Sequence, residues 1–310
     1  MNIKNVCVLG GTGFVGTHIL NRLAMAGYSV RVLTRTREHA RSVMTLPNVE
    51  VVKANVFDQA ELNSQFAGMD AVINLVGILN EAQPGAFDAL HVELPRKIVR
   101  ACAASGVQRL LHMAALNADP NGPSAYLRSK GLGQAVVLAQ AEALAVTVFR
   151  PSVIFGREDV FLNMFAGLLK IAPVFPLACP DAKFQPVYVE DVAQAYVASL
   201  DNPATFGQRY DLCGPKVYTL RELVKLVGNV TGNPRRIIGL NQRLSYLQAW
   251  MMEWKPGRKL MTRDNYYSMQ VDAVCKCEFP GIFGIEPSAL EAVAPTYLAR
   301  KTPYRRASGH

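Results

Sequence analysis

The sequence predicts an α/β protein built on a doubly wound parallel sheet, with a smaller C-terminal substrate lobe. Three observations predict it. Short apolar runs alternate with helical patterns through the first half of the chain, which implies parallel pairing with right-handed crossovers. Those runs are nearly continuous in apolar residues, as strands covered on both faces require. Three glycines follow the first run and open the first helical pattern.

The elements read in order. Val6–Leu9 is a strand and Phe14 to Ala26 a helix. Val30–Leu33 is the next strand, followed by a polar helix from Arg37 to about Met44. Val49–Lys53, Ala71–Leu75, Arg109–Met113 and Val146–Arg150 read as the third to sixth strands. Helices near Gln59–Phe66, within Pro84 to Ser105, and from Tyr126 to Ala143 separate them. After Pro151 prolines become frequent and the helical pieces less regular. Residues 1–150 are therefore expected to form the dinucleotide-binding core, and 151–310 a substrate lobe interleaved with it. In that lobe Tyr210–Cys213 reads as a strand. Thr219–Thr231 reads as a helix with Thr219 and Glu222 placed for a capping box.

The 310 residues are 50% hydrophobic and 18% charged, enough to bury a large core and too few charges for a disordered chain. The formal charge of +9 favours anionic partners. Arg31, Arg35, Arg37 and Arg41 form one basic group, and Arg300, Lys301, Arg305 and Arg306 a basic tail. No nucleic-acid-binding module is visible, so nucleic acid is not expected as a partner. The six cysteines make no metal-ligand pattern and read as reduced, mostly buried thiols of a cytoplasmic protein. His18, His39, His91, His112 and His310 form no ligand spacing either, and no metal is expected. The N-terminus runs directly into a strand pattern, so no signal or transit peptide is read. Lys170, Pro173 and Pro176 interrupt the most apolar stretch, Phe161 to Cys179; a membrane span needs about 20 apolar residues.

Gly10-Gly11-Thr12-Gly13-Phe14-Val15-Gly16 carries the clearest chemistry. Gly10 permits a tight turn, Gly13 lets the backbone approach a pyrophosphate, and Gly16 lets the helix pack closely on the strand. The helix N-terminus offers N–H groups and a positive dipole end to phosphates. This is the Rossmann fingerprint. An NAD site usually has an acid at the end of the second strand, for the ribose 2′-hydroxyl. Here the chain reads Thr34-Arg35-Thr36-Arg37. A guanidinium can take a 2′-phosphate through two hydrogen bonds. NADP(H) is therefore expected over NAD(H), with Arg35 the main contact and Arg37 a second candidate.

Tyr126 and Lys130 lie four residues apart, on one face of a helix. That spacing suits a proton donor whose pKa a neighbouring ammonium lowers. With the glycine turn, Phe149-Arg-Pro-Ser-Val-Ile-Phe-Gly156 and Gln185-Pro-Val-Tyr-Val-Glu-Asp-Val192, the chain resembles an extended or atypical short-chain dehydrogenase/reductase, of NAD-dependent epimerase/dehydratase type. Leu90–Arg96 and His112–Asp119 are most similar to the group that includes the nucleotide-binding accessory subunit of respiratory complex I, its bacterial relatives and a fungal ubiquinone-biosynthesis protein.

The resemblance implies that Tyr126 exchanges a proton with the substrate oxygen, and that Lys130 binds the nicotinamide ribose and lowers the Tyr126 pKa. It assigns cofactor binding to Asn55 and Val56 after the third strand, Leu75, Val76 and Gly77 after the fourth, and Pro151 after the sixth. His91 takes a position where many relatives have Asn. The family's substrate-holding Ser or Thr is missing, because the chain reads Ala114-Ala115-Leu116 there. Losing one such donor costs about 10²–10³ in rate. Asn117 and Ser124 are the substitutes within reach in sequence.

Leu244, Leu247, Met251 and Trp254 have helical spacing. They read first as the packed face of a lobe helix. Alternatively Tyr246, Trp250, Met251 and Met252 line an opening for an apolar ligand or rest on a membrane, beside Lys255, Arg258, Lys259 and Arg263.

The reading is an NADP(H)-binding protein linked to respiratory complex I or quinone metabolism, with weak or undefined oxidoreductase activity. Its partners would be a small apolar or quinone-like substrate and a membrane-associated complex. Its place would be the cytoplasm, peripheral at the inner face of the membrane. Two alternatives stay open. One is an active oxidoreductase or sugar-nucleotide epimerase/dehydratase using Tyr126 and Lys130. The other is a nucleotide-sensing regulator.

Overall fold

The computed structural model describes residues 1–255, 257 and 259–299. Arg258, the basic tail from Arg300 and His310 lie outside the described residues, as does the side chain of His39. The first half runs β1 Asn5–Leu9, α1 Phe14–Met25, β2 Ser29–Thr34, β3 Val49–Lys53, α2 Gln59–Phe66, β4 Ala71–Asn74, α3 Ala86–Asp88, α4 Leu94–Ser105, β5 Arg109–Met113, α5 Ala125–Leu138 and β6 Ala145–Pro151. A π turn, Ala89–Glu93, joins α3 to α4. The second half runs β7 Ile154–Phe155, α6 Val160–Ile171, β8 Val174–Leu177, β9 Lys183–Phe184, β10 Val187–Tyr188, α7 Val189–Ser199, β11 Gln208–Leu212, β12 Tyr218–Thr219, α8 Leu220–Val230, β13 Arg236–Gly239, α9 Gln242–Glu253, α10 Arg263–Ser268 and α11 Leu290–Leu298.

Seven strands form one sheet in the order β11-β6-β5-β4-β1-β2-β3, and every pairing in it is parallel. Alternate side chains of these strands enter two separate cores. On one face Val6, Val8, Val30 and Val32 pack with Ile19, Leu20 and Leu23 of α1 and Val192 and Tyr196 of α7. On the other, Cys7, Leu9, Val146 and Val148 pack with Leu62 and Phe66 of α2 and Leu94, Ile98 and Cys102 of α4. Each such fully buried aliphatic side chain contributes roughly 1.5–3 kcal/mol. Residues beyond 151 thus supply both β11 and a covering helix of the main sheet, besides building a third core from α6, α8 and α11.

The capping box on α8 forms as read: the Thr219 hydroxyl accepts from the Glu222 N–H, and the Glu222 carboxylate accepts from the Thr219 N–H. Three expectations change. The helix from Arg37 to Met44 shrinks to a 3₁₀ turn, Arg37–Ala40, to which Thr36 gives no side-chain cap. The Tyr126 helix ends at Leu138 rather than Ala143. The cysteines are not all reduced, because Cys213, just past β11, is disulfide-bonded to Cys275. Their 62-residue separation hid the pair; only the return of the chain over the sheet brings them together. Cys7 and Cys102 are buried thiols, and Cys277 is exposed.

Candidate functional site

The strand order reverses between β1 and β4, so a crevice opens beyond their C-terminal ends, where doubly wound sheets bind ligands. The glycine turn occupies it. Gly10 has φ +79°, and a Cβ there would lie 3.1 Å from the backbone of Leu75 and Val76. A Cβ at Gly16 would lie 2.4 Å from the Gly10 carbonyl oxygen, so only glycine lets α1 start so close to β1. At Gly13 the nearest atom to a Cβ is the Gly10 oxygen at 3.3 Å, with nothing else within 4 Å. Gly13 is also the N-cap of α1; it brings no side-chain cap, and the first turn has no acidic residue. The helix thus presents unpartnered N–H groups without a competing carboxylate, which fits a pyrophosphate. The side chains of Phe14 and Val15 do other work: Phe14 stands edge-on to His18 at 5.8 Å, and Val15 packs on the core. Their contribution to a phosphate is through the backbone.

The C-terminal end of β2 is basic. Arg35, just past β2, is exposed and makes no hydrogen bond or ion pair to a described residue. Arg37 is committed, donating to the Val51 carbonyl at 3.2 Å. Asn55 is exposed, and its side-chain oxygen already accepts from the Phe57 N–H at 3.1 Å, while Val56 is buried beside it.

Tyr126 and Lys130 are both carried by α5. Asp264 of α10 caps this helix across the fold, accepting from the N–H groups of Ala125 (2.6 Å) and Tyr126 (3.1 Å). Burial pushes the Tyr126 hydroxyl up to about 12 and the Lys130 ammonium down to about 8. The expectation that Lys130 lowers the Tyr126 pKa is therefore corrected: Lys130 Nζ donates to the Met113 carbonyl at 2.7 Å, and burial dominates the phenol. The Tyr126 hydroxyl therefore stays protonated near neutrality. Lys130 still faces the cofactor crevice, since a Cβ at Gly77 would lie 3.5 Å from its Nζ.

Ala114, Ala115 and Leu116 are buried and bring no hydroxyl. Neither substitute serves. Asn117 donates to the Asp272 carbonyl, and Ser124 caps α5 and bonds Ser268. Pro151 is buried at the end of β6, where its carbonyl accepts from the Leu116 N–H.

Sequence reasoning missed the part His91 plays. Its Nε2 accepts from the Ile78 N–H at 3.1 Å, so the ring proton sits on Nδ1 and is donated to Ser129 Oγ at 2.9 Å. Ser129 in turn donates to the Tyr126 carbonyl. The ring stacks on Phe87 at 5.4 Å and meets Tyr126 edge-on at 5.7 Å. Burial, assisted by Lys130, lowers its pKa to about 3. Thus a neutral imidazole ties the loop after β4 to the Tyr126 helix. The replacement of a family Asn by an imidazole was the signal for it.

This fold and this site define a dinucleotide-binding protein of the Rossmann class. Residues 6–213 match the NAD dependent epimerase/dehydratase family, and the chain belongs to it. It is 31% identical to "NADH dehydrogenase [ubiquinone] 1 alpha subcomplex subunit 9, mitochondrial" of Mus musculus, across 96% of this chain and 80% of that protein. It is 28% identical to the ceramide reductase of Caulobacter vibrioides, across 76% and 73%. Among solved structures it resembles the dTDP-glucose 4,6-dehydratase of Streptomyces venezuelae with NAD bound. That match has a TM-score of 0.66 and 21% identity, covering 77% of this chain and 85% of the other. The family binds a nicotinamide dinucleotide, and the glycine cradle here fits one.

Proposed function

We propose that the protein holds NADP(H), and that the nucleotide chiefly stabilises a component of a membrane-associated respiratory complex or of quinone metabolism, with weak oxidoreductase activity. One observation carries the reading: the glycine turn leaves room for a pyrophosphate, whereas Ala114, Ala115 and Leu116 after β5 offer a substrate carbonyl no hydroxyl. Arg35 at the acid-free end of β2 supports the 2′-phosphate. The backbone of residues 10–16 would hold the pyrophosphate, Asn55 and Val56 would flank the adenine, and Leu75, Val76, Gly77, Lys130 and Pro151 would surround the nicotinamide ribose. The kinship with the mouse subunit supports a place beside a respiratory complex. Among the described residues no helix is long and apolar enough to cross a membrane, so the association is taken to be peripheral.

A second reading, an active reductase, is favoured by Tyr126 and Lys130 on one face of α5 and by the reductase among the relatives. A bound nicotinamide supplies or accepts hydride. Tyr126 would give its proton to the substrate oxygen, while Asp264 and His91 keep its helix in place. The test is NADPH oxidation with a panel of quinones, aldehydes and ketones, in wild type and Tyr126→Phe. The proposal expects tight NADPH binding with little turnover in either protein. Rapid oxidation that collapses in Tyr126→Phe would replace it with the reductase.

A further inference from the structure

The stripe Leu244, Leu247, Met251 and Trp254 faces outward. Helix α9 is seated instead through Ser245 and Ala249, both buried; Ser245 Oγ accepts from the Cys179 N–H, and Gln248 donates to the Pro176 carbonyl of β8. Met251 is 60% exposed and Trp254 74%, with Leu244, Leu247 and Trp250 each at 40–47%. Tyr246 leaves this row and packs edge-on against Tyr266 of α10 at 5.5 Å. Beside α9, the parallel pair β8 and β13 sets Arg236 opposite Val174 and Ile238 opposite Pro176, all four exposed.

An uncovered apolar row of this size marks an interaction surface, and the charges around it identify the partner. The described residues within 232–263 include six Lys or Arg against one acid, Glu253. Arg236, Arg243, Lys170 and Lys255 are exposed, and Glu253 is spent on Arg263 at 2.8 Å. Tryptophans, aliphatic side chains and a cationic surround on one short helix match the interface of an anionic bilayer. We infer that the outer face of α9 seats the protein on an anionic lipid surface, with Leu247, Met251 and Trp254 entering the acyl boundary and the surrounding cations meeting the headgroups.

Tyr246 joins α9 to α10, and Asp264 of α10 caps the helix that carries Tyr126. The docking helix is thus linked through α10 to the helix that carries Tyr126. The surface stands on its own observations and does not depend on the nucleotide reading.

Trp250 and Trp254 are the only tryptophans in the chain, so the face carries its own probe. The full chain is mixed with vesicles of phosphatidylcholine, alone or with phosphatidylglycerol, and followed by co-sedimentation and tryptophan emission. The expected result is binding to the mixed vesicles with a blue-shifted emission, weakened by raising salt from ~50 to ~500 mM and nearly absent on phosphatidylcholine alone. Leu247→Glu with Met251→Glu should cut vesicle affinity at least ~100-fold, with NADPH affinity and thermal stability at wild-type values because both positions are exposed. Equal binding to neutral vesicles, wild-type binding by the double variant, or no vesicle binding would overturn the inference. So would a dimer, detected by gel filtration and abolished by the same variant, that forms without any lipid binding.

Discussion

His91→Asn tests the hydrogen-bond link between the β4 loop and α5. His91 is 2% exposed and its pKa falls to about 3, from 6.5, through burial and the nearby Lys130 ammonium. A base with a depressed folded-state pKa binds its proton more readily when the chain is unfolded. Stability is therefore fully present above about pH 6.5, is lost as pH falls below it, and stops falling only near the folded value. The slope is about 1.4 kcal/mol per pH unit for one proton, or about 2 kcal/mol at pH 5. Asparagine keeps an acceptor for the Ile78 N–H and a donor for Ser129 but takes up no proton. The variant should lose about 1–2 kcal/mol at pH 8, from imperfect replacement of the ring, and that deficit should vanish or reverse by pH 5. Urea unfolding of both proteins between pH 8 and 5 measures this. The difference cancels titrating groups not coupled to His91, including Asp159 and Asp191, whose raised pKa values act in the opposite sense. Curves that stay parallel across that range would refute a buried, neutral His91.

Two further outcomes follow from the packing. Gly16→Ala places a methyl group 2.4 Å from the Gly10 oxygen and 2.6 Å from Gly11 backbone atoms. Backbone cannot swing aside, so α1 must shift and NADPH affinity should drop at least ~100-fold in a fluorescence titration; this corresponds to roughly 3 kcal/mol of misfit. Retained tight binding would mean that the cradle does not hold the nucleotide. Reducing the Cys213–Cys275 bond with a dithiol should lower stability by about 2–4 kcal/mol in denaturant unfolding, whereas Cys213→Ser should not respond to reductant. An equal response in both would place the redox-sensitive bond elsewhere.

The parts legible in the sequence are those in which a short segment settles its own geometry. The glycine turn is one, since the positive φ of Gly10 and the close approach at Gly16 restrict those positions to glycine. The strands are another, because burial on both faces leaves an apolar run. The capping box of α8 needs only three residues' separation. What stayed hidden depends on distant partners. The Asp264 cap on α5 spans 139 residues from Ala125, and the disulfide spans 62. Helical spacing found the apolar row of α9 but read it as the packed face; the lobe instead covers the side carrying Ser245 and Ala249 and leaves Leu244, Leu247, Met251 and Trp254 exposed. The Tyr126 and Lys130 spacing placed both on one helix face; the Met113 carbonyl, reached across the fold, decides where the ammonium points.

The proposed preference for a 2′-phosphorylated dinucleotide rests on Arg35, exposed just past the acid-free end of β2. Dissociation constants for NADPH and NADH should be measured on wild type and Arg35→Glu. A guanidinium–phosphate pair is worth about 1.5–3 kcal/mol, so wild type should prefer NADPH by roughly 10–100-fold. The substituted carboxylate should repel the phosphate and reverse the order. Equal or tighter NADH binding by wild type, or a ratio unchanged by the substitution, would contradict the account.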